Sequence, residues 1–152
     1  MSQENPQKID MALKGASLDQ ILDCAFIALK TNSINYSSLS VRDVSGNSGA
    51  KTYLCSDGDM PKCIVKVSSG DGIMNSHPFT IERVNAATKA LRQNKVAPAI
   101  LLRGEDFHVE LSAGTSVMKD FFHFKNDLAP PAELASLMAR IHSTSTNWYV
   151  PL

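Results

Sequence analysis

The chain has 152 residues, of which 43% are hydrophobic and 20% charged, enough for one domain with a real core and too few for two of ordinary size. Such a composition argues against wholesale disorder, and 15 basic against 15 acidic residues give no net charge to draw nucleic acid or an anionic membrane as partner. No apolar run approaches the ~20 residues needed to span a bilayer, and Cys24, Cys55 and Cys63 form no Cys-x-x-Cys pair, so free thiols in a reducing, cytoplasmic setting are expected.

Residues 1–16 are polar and unpatterned and read as a flexible leader. Ser17-Leu18-Asp19-Gln20 then has the form of a capping box. Leu18, Ile21, Leu22, Ala25, Phe26 and Leu29 come next at helical spacing, which predicts an amphipathic helix ending near Lys30, with a linker to residue 36. The pattern then turns β-like. Leu39 to Val44, Thr52 to Cys55 and Cys63 to Val67 read as three strands, separated by Ser45-Gly46-Asn47-Ser48-Gly49 and by Ser56-Asp57-Gly58-Asp59. Two tight connections predict an antiparallel meander.

A glycine-containing stretch leads from Ser68 into a second helix, in which Ile81, Val84, Ala87, Thr88 and Leu91 mark the buried side and Val96-Ala97-Pro98 the end. Ala99 to Arg103 and Phe107 to Leu111 are two further strands joined by Gly104-Glu105-Asp106. Pro130 and Pro131 open a third helix, with Leu134, Leu137, Met138 and Ile141 turned inward. Strands that are not separated by regular crossover helices favour α+β over a doubly wound sheet. The expected architecture is thus a five-stranded antiparallel sheet with one helix inserted between the third and fourth strands, plus an N-terminal and a C-terminal helix.

Gly46-Asn47-Ser48-Gly49-Ala50-Lys51-Thr52 superficially matches a Walker A loop and fails on two counts. Its glycines enclose two residues instead of four, and they lead into a strand, not into a helix with a phosphate-binding N-terminus. A glycine loop between two strands is still useful chemistry, because backbone amides there approach an anion closely. Protein-kinase folds cover ATP phosphates in this way and supply a lysine from the third strand. Lys66 sits in the middle of the third predicted strand among Ile64, Val65 and Val67. Taken alone, it reads better as a lysine facing outward from a half-exposed strand than as a phosphate ligand. Buried, it would need an anionic partner.

In this order, residues from about Leu39 to Tyr149 resemble the N-terminal lobe of the choline/ethanolamine kinase and aminoglycoside phosphotransferase superfamily. The hairpin from Val44 to Tyr53 resembles the family's nucleotide-covering loop. Lys66 stands where the phosphate-binding basic residue would be, and Leu91 through Ala97-Pro98 matches a Leu-x6-Pro helix ending. Glu110 to Gly114 matches a Glu-x-x-x-Gly hinge pattern, and Ala139-Arg140-Ile141-His142 an Ala-x-x-His helix ending. The resemblance implies a nucleotide-binding lobe over residues 37–114, with a hinge segment and helix over 115–152. ATP phosphates would meet Gly46, Asn47, Ser48, Gly49 and Lys66, with Glu82 as the lysine's partner and the backbone at Glu110, Leu111 and Ser112 on the adenine edge.

Two departures bear on activity. Glu82 is the only acidic residue in the second helix and lies about two positions early, a rotation of about 200° on a helix. Either the helix start is irregular, or the Lys66–Glu82 pair does not form and Glu82 serves as a favourable charge in the first turn. The family's catalytic His-x-Asp with its asparagine is absent: Lys125-Asn126-Asp127-Leu128 has lysine for histidine, and Ala132 stands at the asparagine position. The expectation is therefore an ATP-binding lobe, inactive alone, whose Mg²⁺ ligands and small hydroxyl substrate of choline or ethanolamine type would belong to a second lobe. The alternative is a non-catalytic nucleotide-sensing or protein-interaction module using the cleft face. His77, His108, His123 and His142 show no metal-ligand spacing.

Overall fold

The computed structural model describes residues 6–47, 49–68, 81–113 and 131–144, apart from the side chains of 81–85, 131 and 134. The chain forms two compact units, Met1–His77 with Ala99–Ala113, and Pro78–Pro98 with Gly114–Leu152. The fold is α+β, with three helices and a mixed six-stranded sheet among the described residues.

In the first unit, helix α1 (Leu18–Thr31) starts on the expected capping box: Gln20 N donates to Ser17 Oγ at 3.3 Å and Ser17 N to Gln20 Oε1 at 2.9 Å. Its buried stripe is Ile21, Cys24, Ala25, Ala28 and Leu29, while Leu18, in the first turn, stays exposed. The helix ends with Ser33 in the left-handed region (φ 56°), where Ile34 N donates to Leu29 O and Ser33 N to Lys30 O, satisfying carbonyls that the helix leaves open. Asn32 ties this end to the sheet by donating its amide to Leu101 O at 3.0 Å.

The strands are β1 (Gln7–Lys8), β2 (Leu39–Asp43), β3 (Lys51–Asp57), β4 (Met60–Val67), β5 (Ile100–Arg103) and β6 (Phe107–Leu111), in the spatial order β1-β5-β6-β4-β3-β2. Every pairing is antiparallel except β1 with β5. The expected antiparallel five are thus β2 to β6, and the expectation is short by one strand, which comes from residues assigned to the leader. Two residues are too few to carry a hydrophobic period, so β1 leaves no sequence pattern. Long-range hydrogen bonds hold it: Ile9 N to Arg103 O and Glu105 N to Met11 O, both at 2.8 Å. The Asp106 carboxylate also accepts from Leu13 N at 2.7 Å and from Lys14 N at 2.8 Å, and the Leu13 side chain is buried.

Alternation along the strands sends Cys63, Val65 and Val67 of β4, Phe107 and Val109 of β6 and Leu102 of β5 into one core with α1. Between β5 and β6, Gly104 N donates to Phe107 O, and the Phe107 ring lies 1.9 Å from where a Cβ on residue 104 would be, so only glycine fits.

In the second unit, α2 (Ile81–Gln93) closes with Lys95 at φ 58° and with Val96 N donating to Leu91 O, so the Leu-x6-Pro segment is a helix stop. Arg92 Nε donates to Pro98 O at 2.7 Å. Helix α3 (Pro131–His142) meets the end of α2 through the Asn94 amide, which donates to Arg140 O and to Thr144 Oγ1. Met138 and Ile141, expected to face inward, are exposed. No helix among the described residues is long and apolar enough to cross a membrane.

Asp106→Ala should remove the acceptor for two leader amides. A loss of roughly 1–3 kcal/mol is expected, with the Leu13 and Lys14 amides exchanging faster than those of α1. Unchanged exchange at both would contradict the clamp.

Candidate functional site

The site is built on the face of the sheet turned away from α1. Because Val65 and Val67 are buried, the pleat sends Ile64 and Lys66 to the opposite side, and β6 does the same with His108 and Glu110. Register places Lys66 opposite His108 on one flank and opposite Thr52 on the other.

Among the described residues Glu110 is the only buried charged or polar one, at 7% exposure. A carboxylate out of water needs partners, and it has two. Lys66 Nζ lies 2.8 Å from Oε1, and His108 Nε2 lies 3.2 Å from Oε2. Burial pushes the Glu110 carboxyl up, but hydrogen bonds from His108 and Lys66, with their charges, outweigh it and bring the group down to about 2. Lys66 itself is half exposed (45% of its side chain), so its ammonium is fixed on one side and open to solvent on the other.

The glycine hairpin lies at the same end of the sheet as Lys66. Its foot is closed by Val44 N donating to Thr52 O at 2.9 Å and by Thr52 N donating to Ser45 Oγ at 2.9 Å. Ser45 N caps the Asp43 carboxylate, and hydrogen bonding with Ser45 holds that group below its ordinary range. Gly46, Asn47 and Gly49 are exposed, Gly49 at φ 83°, where a side chain would be strained. Ser48 lies outside the described residues.

The structure therefore brings Lys66 and the foot of the glycine hairpin together, and it gives Lys66 an ion-pair partner that the sequence reading did not assign to it. That partner is Glu110, through a side chain that the hinge pattern left without a role. The Glu82 side chain lies outside the described residues. Alternation in Cys63 to Val67 and in Phe107 to Leu111 could have placed Lys66, His108 and Glu110 on like faces. What the sequence does not state is that β4 and β6 are neighbours.

The backbone amides of Leu111 and Ser112, at the segment matched to the hinge pattern, are engaged within the sheet. Leu111 N donates to Ala99 O at 2.9 Å and Ser112 N to Lys62 O at 3.1 Å, so both amides serve the sheet and neither is left as a donor for an adenine edge. Gly114, His77, His123 and Lys125 to Leu128 lie outside the described residues, and His142 is exposed on α3. No group of three or more His, Cys, Asp or Glu side chains that could hold a metal ion occurs among the described residues.

On the core face Cys55 and Cys63 are direct cross-strand partners, fully buried and free. The hydrogen bond shared with Cys55, together with burial, holds the Cys63 thiol well above its usual range. Burial, and then the charge of Asp23, raise Cys24 to about 11. All three thiols are buried in the core, out of reach of solvent.

Comparison with protein-family models, with curated proteins and with solved structures gave no match.

A carboxyl that folding lowers contributes stability that is complete above its ordinary value and is lost as pH falls through the lowered one. For Glu110 that window runs from 4.5 down to about 2. Glu110→Gln should flatten the dependence of urea-unfolding stability on pH in this range and cost on the order of 2 kcal/mol at neutral pH, given screening at the half-exposed Lys66. A second outcome concerns the thiols. Iodoacetamide should label none of the three cysteines in the folded chain and all three in denaturant, and labelling of native Cys55 or Cys63 would contradict their burial.

Proposed function

We propose that this chain is an ATP-binding lobe of the choline/ethanolamine kinase and aminoglycoside phosphotransferase type, and that it carries the nucleotide half of the function without phosphoryl transfer of its own. One observation carries the reading. The sheet register sets the Lys66 ammonium, half exposed and held by Glu110, across from Thr52 at the foot of the glycine hairpin. A fixed cation next to a loop of exposed backbone is an arrangement suited to phosphate oxygens.

Two further features support it. Strands β2 to β6 pair antiparallel throughout, and α2 lies between β4 and β5 in the chain, as the family's order requires. The two amides committed at Leu111 and Ser112 leave the adenine edge to other groups, and the apolar Ile64 and Leu54, paired on the same face, offer a flat surface for a base.

Magnesium would come with the nucleotide and neutralise developing charge on the transferred phosphoryl group. The described residues gather no ligand cluster for it. Transfer to a small hydroxyl acceptor depends on positioning a base and a metal, and the sequence contains no His-x-Asp segment with its asparagine to do so. The three free thiols support a cytoplasmic setting.

Calorimetric titration with ATP tests the proposal. Binding by the chain, weakened at least about tenfold in Lys66→Ala for the loss of one charge-assisted contact, is the expected result. ATP binding that Lys66→Ala leaves unaltered, or no ATP binding at all, would overturn it.

A further inference from the structure

The sheet face away from α1 is organised in rows running across the strands. One row is Lys8 of β1, Arg103 of β5, His108 of β6, Lys66 of β4 and Thr52 of β3, each the register partner of the next. The adjacent row is Ile100, Glu110, Ile64, Leu54 and Arg42. The first row is therefore basic over four strands and ends beside the glycine hairpin. The second is mainly apolar, with the Glu110 carboxylate near its middle.

Neighbouring strands lie about 4.8 Å apart, so the stems of Arg103, His108 and Lys66 are evenly spaced over roughly 10 Å. All three side chains are partly or half exposed. Among the described residues no carboxylate pairs with Arg103. The acidic groups of the β5–β6 turn, at the same end, are engaged elsewhere: Asp106 accepts from the Leu13 and Lys14 amides, and Glu105 shares a hydrogen bond with Asp10 that raises its carboxyl. Among the described residues Glu110 is the carboxylate that pairs with the row, and it does so from the next one, where it also anchors His108.

We propose that this row is an extended polyphosphate site, in which the phosphate chain of the nucleotide runs from Lys66 across β6 to β5, so that His108 and Arg103 bind phosphate as well. The proposal rests on the nucleotide reading and deepens it, since it makes a triphosphate, and not a monophosphate, the preferred ligand. Arg103 supplies the planar fork of donors that matches phosphate oxygens. Lys66 supplies a point charge, and Glu110 keeps Lys66 and His108 aligned by taking one on each oxygen. Phosphate lies along the first row because the second has no cation before Arg42 on β2.

The test is titration calorimetry with ATP, AMP and inorganic tripolyphosphate on the intact chain and on Arg103→Gln, His108→Gln and Lys66→Gln, with thermal melts to show that each variant folds. The expected result is tighter binding of ATP than of AMP, with Arg103→Gln weakening ATP and tripolyphosphate about tenfold each and AMP much less, and His108→Gln acting in the same direction. If Lys66→Gln loses ATP while Arg103→Gln and His108→Gln bind it like the parent, the row is wrong and the nucleotide reading stands. If tripolyphosphate binds in an Arg103-dependent way and neither ATP nor AMP gains from its base, the row stands and the nucleotide reading falls. If no probe binds, both fall.

Discussion

The way β4 buries Cys63, Val65 and Val67 against α1 decides what the rest of the sheet can do. Side-chain direction in a strand has a period of two, so fixing three residues inward fixes Ile64 and Lys66 outward with no freedom left. A slip of one residue would bring a lysine into a core of fully buried side chains and turn Val65 out to water. The core thus holds the register, and the register sets the ammonium beside the hairpin. The bulge between Cys55 and Ser56 lies beyond the pairs that matter for the site, since Thr52 with Lys66 and Leu54 with Ile64 are in regular register.

Given that orientation, Glu110 is the natural partner. It stands on the strand next to Lys66, in the adjacent row and on the same face. A carboxylate at 7% exposure between two basic side chains is a costly group to have inside a fold. Such a group gives geometry more than stability. It restricts where the ammonium can go, and that restriction is what a binding site gains from it.

Much of the fold can be read from the chain, and the reason differs from one element to the next. Helix α1 is legible because its capping box and its stripe of Ile21, Ala25 and Leu29 are local and agree with each other. Strands β4 and β6 are legible for the same reason, Phe107–Leu111 to the residue. β1 is illegible because its cause is remote: the acceptors at Arg103 and Asp106 lie about 90 positions along the chain from the leader amides they hold. The exposed Met138 and Ile141 show that helical spacing alone does not say which side of a helix is covered. At the site, Lys66 and the glycine hairpin stand out in the sequence as residues. Glu110 as an ion-pair partner does not, because the pairing of β4 with β6 is long-range topology.

The small parallel strand at the start of the chain has an architectural consequence. By sitting on β5 it covers one margin of the sheet, so that the described sheet is bordered by a two-residue strand on one side and by β2 on the other. β2 alternates Ser40 and Arg42 with its inward residues and ends in Asp43, the sort of short, charged border that discourages strand-on-strand association. Cutting the chain before α1 would strip the cover from Ile100–Arg103, a strand with three buried apolar residues. A shortened version would then trade a shielded flank for a sticky one, with self-association as its characteristic failure.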